Sequence, residues 1–409
     1  MLFRLIIVFC GLLSLLPLPA SAQTITLEHV IAIALEKSDP ALEAQKKLDE
    51  RAAQASEAAT IDNPELKVDL ERSNKVGGTG VTAELFQPFK LSQLTLDRSN
   101  YASRLRGLGE NEKKIELFNA VNDISAAYLK VWALQARKSL YERSLADAGY
   151  VGGALTQGVS EGQTPISVRE IFKGDSGRLA AELKSVMADM AGAKLELSRL
   201  TGESYNDAVF AKPVFSPIPQ NIESLVKLAQ TRTTWRNVLQ DRVAAAQERL
   251  NVAQADAVMP EIGPRLVYRK NQDNSEEIYG IGVQMRIPLW NQNDTERARA
   301  HAEDNAARIQ NARYQNLSAQ DTIRSLHQAA LAKAEYLKSL EQNVLPRYRK
   351  SYELTRSQVK QGQGSPMELW ALREKLYQTE EAAISATTDA YLARLRLEAE
   401  IGGKLEEAQ

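Results

Sequence analysis

The 409-residue chain has one cysteine, three histidines and a formal net charge of −1. Each scarcity closes a route. Cys10 lies in the first stretch, before any folded part, so neither disulfides nor cysteine metal ligands can hold the protein together. His29, His301 and His327 are far apart in helical sequence, without His-x-His or HExxH spacing, and read as helix-surface residues. A near-zero charge offers no basic field for nucleic acid. No Gly-rich phosphate loop follows a strand and no GxSxG elbow appears, so ATPase, peptidase and other enzyme chemistry has nothing to work with; no cofactor and no metal site is expected. Beyond the N-terminus no run of 18 apolar residues occurs, which excludes a spanning helix.

The N-terminus itself carries Arg4, an apolar run from Leu5 to Leu16, and Ala20-Ser21-Ala22. That pattern predicts a secretory signal peptide over residues 1–22, cut before Gln23. Phe9 precedes Cys10 where a lipidation site needs a small residue, so acylation is not expected. An exported chain without a spanning helix is periplasmic, secreted, or an outer-membrane barrel.

What is present is a repetition about 200 residues long. Val159-Ser160-Glu161-Gly162-Gln163-Thr164-Pro165 returns as Val359-Lys360-Gln361-Gly362-Gln363-Gly364-Ser365-Pro366. Asn63-Pro64-Glu65-Leu66 returns as Met259-Pro260-Glu261-Ile262, and Gln87-Pro88-Phe89 as Ile287-Pro288-Leu289. So long a period marks a duplicated half-protein, with a first repeat over 23–220 and a second over 221–409.

Most of each copy reads as long amphipathic helix with a narrow seam: Phe118, Val121, Ile124, Tyr128 and Val131 in one, and Ile323, Leu326, Ala330, Ala334, Leu337, Leu340 and Val344 in the other. Gly and Pro break the pattern at about 150–165 and 358–366, predicting two helical hairpins with compact tips. A tip can be simply a turn; keeping a similar string at both points to docking.

Each copy also has two segments of period 2, predicting β-hairpins at about 64–89 and 263–290. Leu66-Lys67-Val68-Asp69-Leu70-Glu71, Val81–Leu85 around Thr82 and Glu84, Arg265–Arg269, and Tyr279–Ile287 around Gln284 and Arg286 each alternate apolar with polar. Apolar outside and charged inside suits a barrel wall between lipid and water. Tyr268, Tyr279, Phe89 and Trp290 fit an aromatic girdle. Four strands cannot close a barrel, and an open edge in lipid leaves backbone groups unpaired at several kcal/mol each. A membrane reading therefore demands several copies, and the residues do not choose between two and three.

Signal peptide, duplicated helix–hairpin–helix order and the Asn63-Pro64-Glu65-Leu66 string together resemble the TolC-like outer-membrane efflux proteins. Leu85-Phe86-Gln87-Pro88 and Ile287-Pro288-Leu289-Trp290-Asn291 are most similar to their heavy-metal, cobalt–zinc–cadmium type branch. Asn291, Gln292 and Lys90-Leu91-Ser92-Gln93 depart from that branch's strings.

The resemblance implies a mainly α protein with a small β part: a homotrimer with a 12-stranded β-barrel in outer-membrane lipid and a long α-helical barrel across the periplasm of a Gram-negative cell. It implies a periplasmic adaptor (membrane fusion protein) and an inner-membrane pump of the resistance-nodulation-division type as partners. The chain would be a passive exit duct for heavy-metal cations, resting closed at its tips. Lys67, Asp69, Glu71, Thr82, Glu84, Arg265, Arg269, Gln284 and Arg286 would line the lumen, their mixed sign opposing strong charge selection. Gly162, Thr164, Pro165, Gly362, Gly364, Ser365 and Pro366 would form the docking tips. The alternatives are a duct for drug or protein export, or a non-channel periplasmic coiled-coil adaptor or scaffold. An adaptor needs lipoyl-like and small β-barrel domains, and the sequence shows neither.

Overall fold

A computed structural model describes residues 24–72, 79–94, 96–232, 234–271, 276–288, 290, 292–316 and 319–405. The expected signal peptide with Cys10, the Gly77-Gly78 loop, Leu289 and Asn291 lie outside them. In chain order the elements are β1 (Thr24–Ile25), α1 (Leu27–Lys37), α2 (Asp39–Ala59), β2 (Glu65–Arg72), β3 (Thr79–Phe86), β4 (Phe89–Lys90), α3 (Leu96–Ser160) and α4 (Ile166–Thr201). Then follow β5 (Val209–Phe210), α5 (Ile222–Arg232), α6 (Thr234–Val258), β6 (Glu261–Asn271), β7 (Glu276–Arg286), α7 (Asp294–Asn316), α8 (Ala319–Ser339), α9 (Leu345–Lys360) and α10 (Pro366–Ile401). Among the described residues no helix is long and apolar enough to cross a membrane.

The chain forms two compact units, each drawn from both sequence halves. One, the tip unit, comprises residues up to Asp39, Ala120–Gln220 and His327–Arg396. The other, the sheet unit, comprises Pro40–Asn119, Asn221–Leu326 and the residues from Leu397 onward.

In the tip unit the seam of α3 buries Ile124, Tyr128 and Val131 against Leu179 and Leu197 of α4, Val30 of α1 and Phe210 of β5. Phe118 and Val121, at the start of the expected stripe, are only half-buried. β1 and β5 pair in parallel over two residues, too short to stand alone, and side chains complete them. Gln135 donates to Phe210 O at 3.0 Å and accepts from Phe210 N–H at 2.9 Å, acting as a further strand edge. The Tyr128 hydroxyl lies 2.9 Å from Ile25 O and 2.8 Å from Ala211 O, within donating distance of both carbonyls. Burial pushes that phenol above its ordinary range, so it stays a donor. Lys194 donates to Asn206 O at 2.7 Å and Ala208 O at 3.2 Å, and desolvation lowers its ammonium from the usual lysine range.

His327 is not a surface residue as its sequence setting suggested. It is buried, its Nε2 2.7 Å from Pro219 O, because the linker between the halves folds over α8 there. His29 and His301 are exposed.

The sheet unit holds its helices by narrow, alanine-rich seams: Ala55 with Ala102 and Leu105, then Leu108 and Ile115 with Val238 and Ala245, then Leu250 and Ala253 with Ala300. Ion pairs flank them. Asp256 takes both oxygens to Arg98 at 2.7 and 2.9 Å, and Glu112 takes Arg51 at 3.0 Å and Arg242 at 2.8 Å. The same unit carries the four long strands, in the order β2-β3-β6-β7, with β4 extending β6's pairing beyond β3.

Candidate conduit wall and tips

Period-2 alternation places side chains of directly paired residues on one face of the sheet. Lys67 pairs Glu84, Asp69 pairs Thr82, Thr82 pairs Arg269, Glu261 pairs Arg286 and Gly263 pairs Gln284. The structure therefore brings Lys67, Asp69, Glu71, Thr82, Glu84, Arg265, Arg269, Gln284 and Arg286 to a single face. Sequence reading missed Glu65 and Glu261, which share it and neutralise Arg286 at 2.6 and 3.4 Å. Lys67 pairs with Asp69 at 2.7 Å, Arg265 with Glu84, and Arg269 donates to Thr82.

The Glu65–Arg286 pair also reports the shape of the sheet. Glu65 and Arg286 sit on its two outer strands, and the residue of β7 in line with Glu65 is Gly282, four positions before Arg286. In a flat sheet their Cα atoms would be about 19 Å apart, whereas the two side chains and the bond between them reach roughly 14 Å. The sheet must curl with its charged face inward.

The opposite face is apolar and uncovered. Leu66, Val68, Leu70, Ile281 and Val283 stand 56–88% exposed on it, with Leu85, Leu266 and Met285 beside them. Tyr268 and Tyr279 pair across β6 and β7 near the loop end, ring centroids 5.3 Å apart. Trp290, beyond the other end of β7, is 92% exposed. Among the described residues β2 pairs only with β3 and β7 only with β6, so neither outer strand has a partner strand on its far edge.

In the tip unit both helical turns close alike. Gly162 and Gly362 take φ of 75° and 74°, the left-handed region where glycine is favoured. Their N–H groups donate to Val159 O and Val359 O at 3.2 and 3.1 Å, and the following Gln163 and Gln363 donate to Gly158 O and Gln358 O. The first turn is shorter than the expected 150–165, since α3 stays helical to Ser160. Gly149, Gly152, Gly153 and Gly158 sit inside the helix. Two of them serve packing: a Cβ at Gly152 would fall 2.9 Å from the Phe172 ring, and one at Gly158 would fall 2.5 Å from Thr164 Oγ1. Thr164 is thus buried at the turn, and Pro366 of the second turn lies against the same Gly158. Pro165 caps α4, Pro366 begins α10, Gly364 packs on Val359, and Ser365 Oγ accepts from Glu368 N–H at 3.4 Å.

Behind the turns lies a cluster the sequence reading did not single out. Asp147 of α3 takes Tyr352 and Arg356 of α9, the latter at 3.4 Å. Arg373 of α10 donates to Ser144 O at 2.6 Å, and Glu380 takes Arg349 at 2.6 Å and Arg143 at 3.6 Å. Tyr352 and Arg356, four apart on one helix face and next to the tip string, were its only signal. Burial, then Asp147, hold the Tyr352 phenol protonated far above its usual range.

No protein-family profile matches the chain. In sequence it is similar to the cobalt-zinc-cadmium resistance protein CzcC of Cupriavidus metallidurans, 21% identical over 93% of this chain and 91% of that protein. In structure it is similar to the outer membrane protein VceC of Vibrio cholerae, with a TM-score of 0.72, 16% identity, and 93% and 96% of the two chains covered. The Campylobacter jejuni CmeC outer membrane channel aligns with a TM-score of 0.74 at 13% identity, over 92% of this chain and 85% of that one. The chain has the fold of the TolC-like outer-membrane channels. An apolar sheet face as exposed as this one is the kind of surface that lipid rather than water solvates.

Proposed function

We propose that the protein is the outer-membrane exit duct of a tripartite efflux system, a passive channel and not an enzyme. The observation that carries this is the sheet: apolar and exposed outside, charged and concave inside, and among the described residues without a partner strand on either outer edge. Such a sheet is stable in lipid only when copies close it, and three copies give a 12-stranded wall around a water-filled lumen lined by Lys67, Asp69, Glu71, Thr82, Glu84, Arg265, Arg269, Gln284 and Arg286. The internal duplication supports this reading, each repeat giving one β-hairpin to the wall and one helical tip to the mouth.

In the tip unit Gly162, Thr164, Pro165, Gly362, Gly364, Ser365 and Pro366 form the tips that meet a periplasmic adaptor, which links the duct to an inner-membrane pump of the resistance-nodulation-division type. The Asp147 contacts to Tyr352 and Arg356 hold α9 on α3 there and keep the mouth shut. An adaptor opens it by binding the open arrangement better than the closed one. Heavy-metal cations are the cargo, supported by the likeness to CzcC across nearly the whole of both chains.

Two measurements test this. Purified protein in a planar bilayer should conduct, and Asp147→Ala should raise that conductance several-fold. Deleting the gene should sensitise cells to zinc, cobalt or cadmium. Conduction with unchanged metal tolerance, in cells expressing the pump, would transfer the duct to drug or protein export. A soluble, non-conducting monomer would end the channel reading.

A further inference from the structure

The cluster behind the turns surrounds a cavity of about 480 Å³ in the tip unit, within the size range of small-molecule sites. Four guanidiniums line it: Arg143 from α3, Arg349 and Arg356 from α9, and Arg373 from α10. Three carboxylates face them. Asp147 is shared by Tyr352 and Arg356, and Glu380 by Arg349 and Arg143, while Glu353 stands exposed. One positive charge is left over.

That surplus falls on Arg373. It is only 7% exposed, yet among the described residues no carboxylate lies within ion-pair distance of it. Its Nη2 donates to Ser144 O, its guanidinium carbon lies 5.9 Å from the centre of the Phe172 ring, and its Nε is buried without a hydrogen-bond partner. A carbonyl and a ring face do not neutralise a buried charge, and a buried N–H left unbonded is costly. The helical hairpin itself does not demand these side chains. Counted back from the two glycine turns, Arg356 and Arg349 stand where the first half has Thr156 and Gly149.

We propose that this cavity binds a small tetrahedral oxoanion of the phosphate or sulfate kind, held by Arg373 together with Arg143 and Arg356. A guanidinium suits that chemistry because its N–H groups form a fork matched to two oxygens of one anion. Arg356 and Arg143 have donors to spare, since their carboxylate contacts are long, at 3.4 and 3.6 Å. The bound anion joins α3, α9 and α10 at one point and stabilises the tip unit by mass action. Such a site is independent of the conduit reading.

Calorimetric titration of the detergent-purified full assembly with sodium phosphate, at an ionic strength fixed with sodium chloride, tests it. The unaltered protein should bind with a dissociation constant of about 1 mM or tighter. Arg373→Gln should weaken binding about tenfold or more, and Arg373→Lys, which keeps the charge but loses the fork, should fall between the two. Arg143→Gln, on a side chain 65% exposed and so tolerant of change, should weaken it several-fold. Arg178→Gln, in an exposed pair with Glu182 outside the cavity, should bind as the unaltered protein does. Sulfate should displace phosphate and extra chloride should not. Both oxoanions also stabilise proteins generally by exclusion from the surface, so a rise in unfolding temperature counts only where it exceeds that of Arg373→Gln. No binding, equal affinity in Arg373→Gln and Arg143→Gln, or equal displacement by chloride would each overturn the proposal and leave Arg373 a packing residue. Should Arg373→Gln fail to assemble, Arg143→Gln decides alone. Phosphate binding without bilayer conductance would remove the conduit and leave the anion site standing.

Discussion

Glu112 shows how single charges hold the sheet unit's thin helical seams together. Burial alone would raise its carboxyl, but hydrogen bonds from Arg51 and Arg242 outweigh that and bring it below the ordinary carboxylate value. A depressed carboxyl stabilises the fold above the unfolded value, about 4.3, and that contribution drains away as pH falls through the lower folded value. Glu112→Gln should therefore cost about 2 kcal/mol at pH 7 and progressively less below pH 4. Denaturant midpoints of both proteins across that range check it; a pH-independent difference would point to lost packing instead. Such a pair is invisible in sequence, because Glu112 and Arg242 are 130 positions apart. The in-helix glycines misled for a related reason. Gly152 and Gly158 read as breakers until Phe172 and Thr164 are seen occupying the space a side chain would need.

At the scale of the element, the strands were the most legible part. Period 2 is geometric, so naming which of Lys67, Asp69 and Glu71 are polar already assigns their common face. The same geometry makes a sharp test. Ile281→Lys puts a charge in the middle of the apolar face and should cost about 2–4 kcal/mol of stability in the membrane. Gln284→Lys, three residues along on the charged face, should cost little. Heat-modifiable mobility on gels and yield in outer-membrane fractions read both; equal tolerance of the two would reject lipid as the outer solvent. The π-turn Leu340–Val344, which joins α8 to α9, was only half legible. Pro346 announces a disturbance, but whether a helix kinks, ends or takes in an extra residue is decided by the alanines of α10 that both seams must meet.

For the whole molecule, the described residues leave an apolar sheet face bare and neither outer strand with a second partner strand, so the proposed duct needs further copies to close it. Sedimentation in mild detergent should give three times the 45.3 kDa chain mass, less the signal peptide and corrected for bound detergent. A chain mass of one would contradict closure by copies, and a mass of two would replace twelve strands by eight.

The sequence by itself determined the alternation of the strands, the helical seams and the two glycine turns, because each depends on residues a few positions apart. It also carried the strings that recur about 200 residues apart, which need no folding to be seen. Only the tertiary structure decided that the charged face is the concave one, that Asp147 gathers Tyr352 and Arg356, and that Lys212 of the linker meets Glu341 between α8 and α9. Those facts arise from residues tens to hundreds of positions apart, and no local preference records where a distant side chain will arrive.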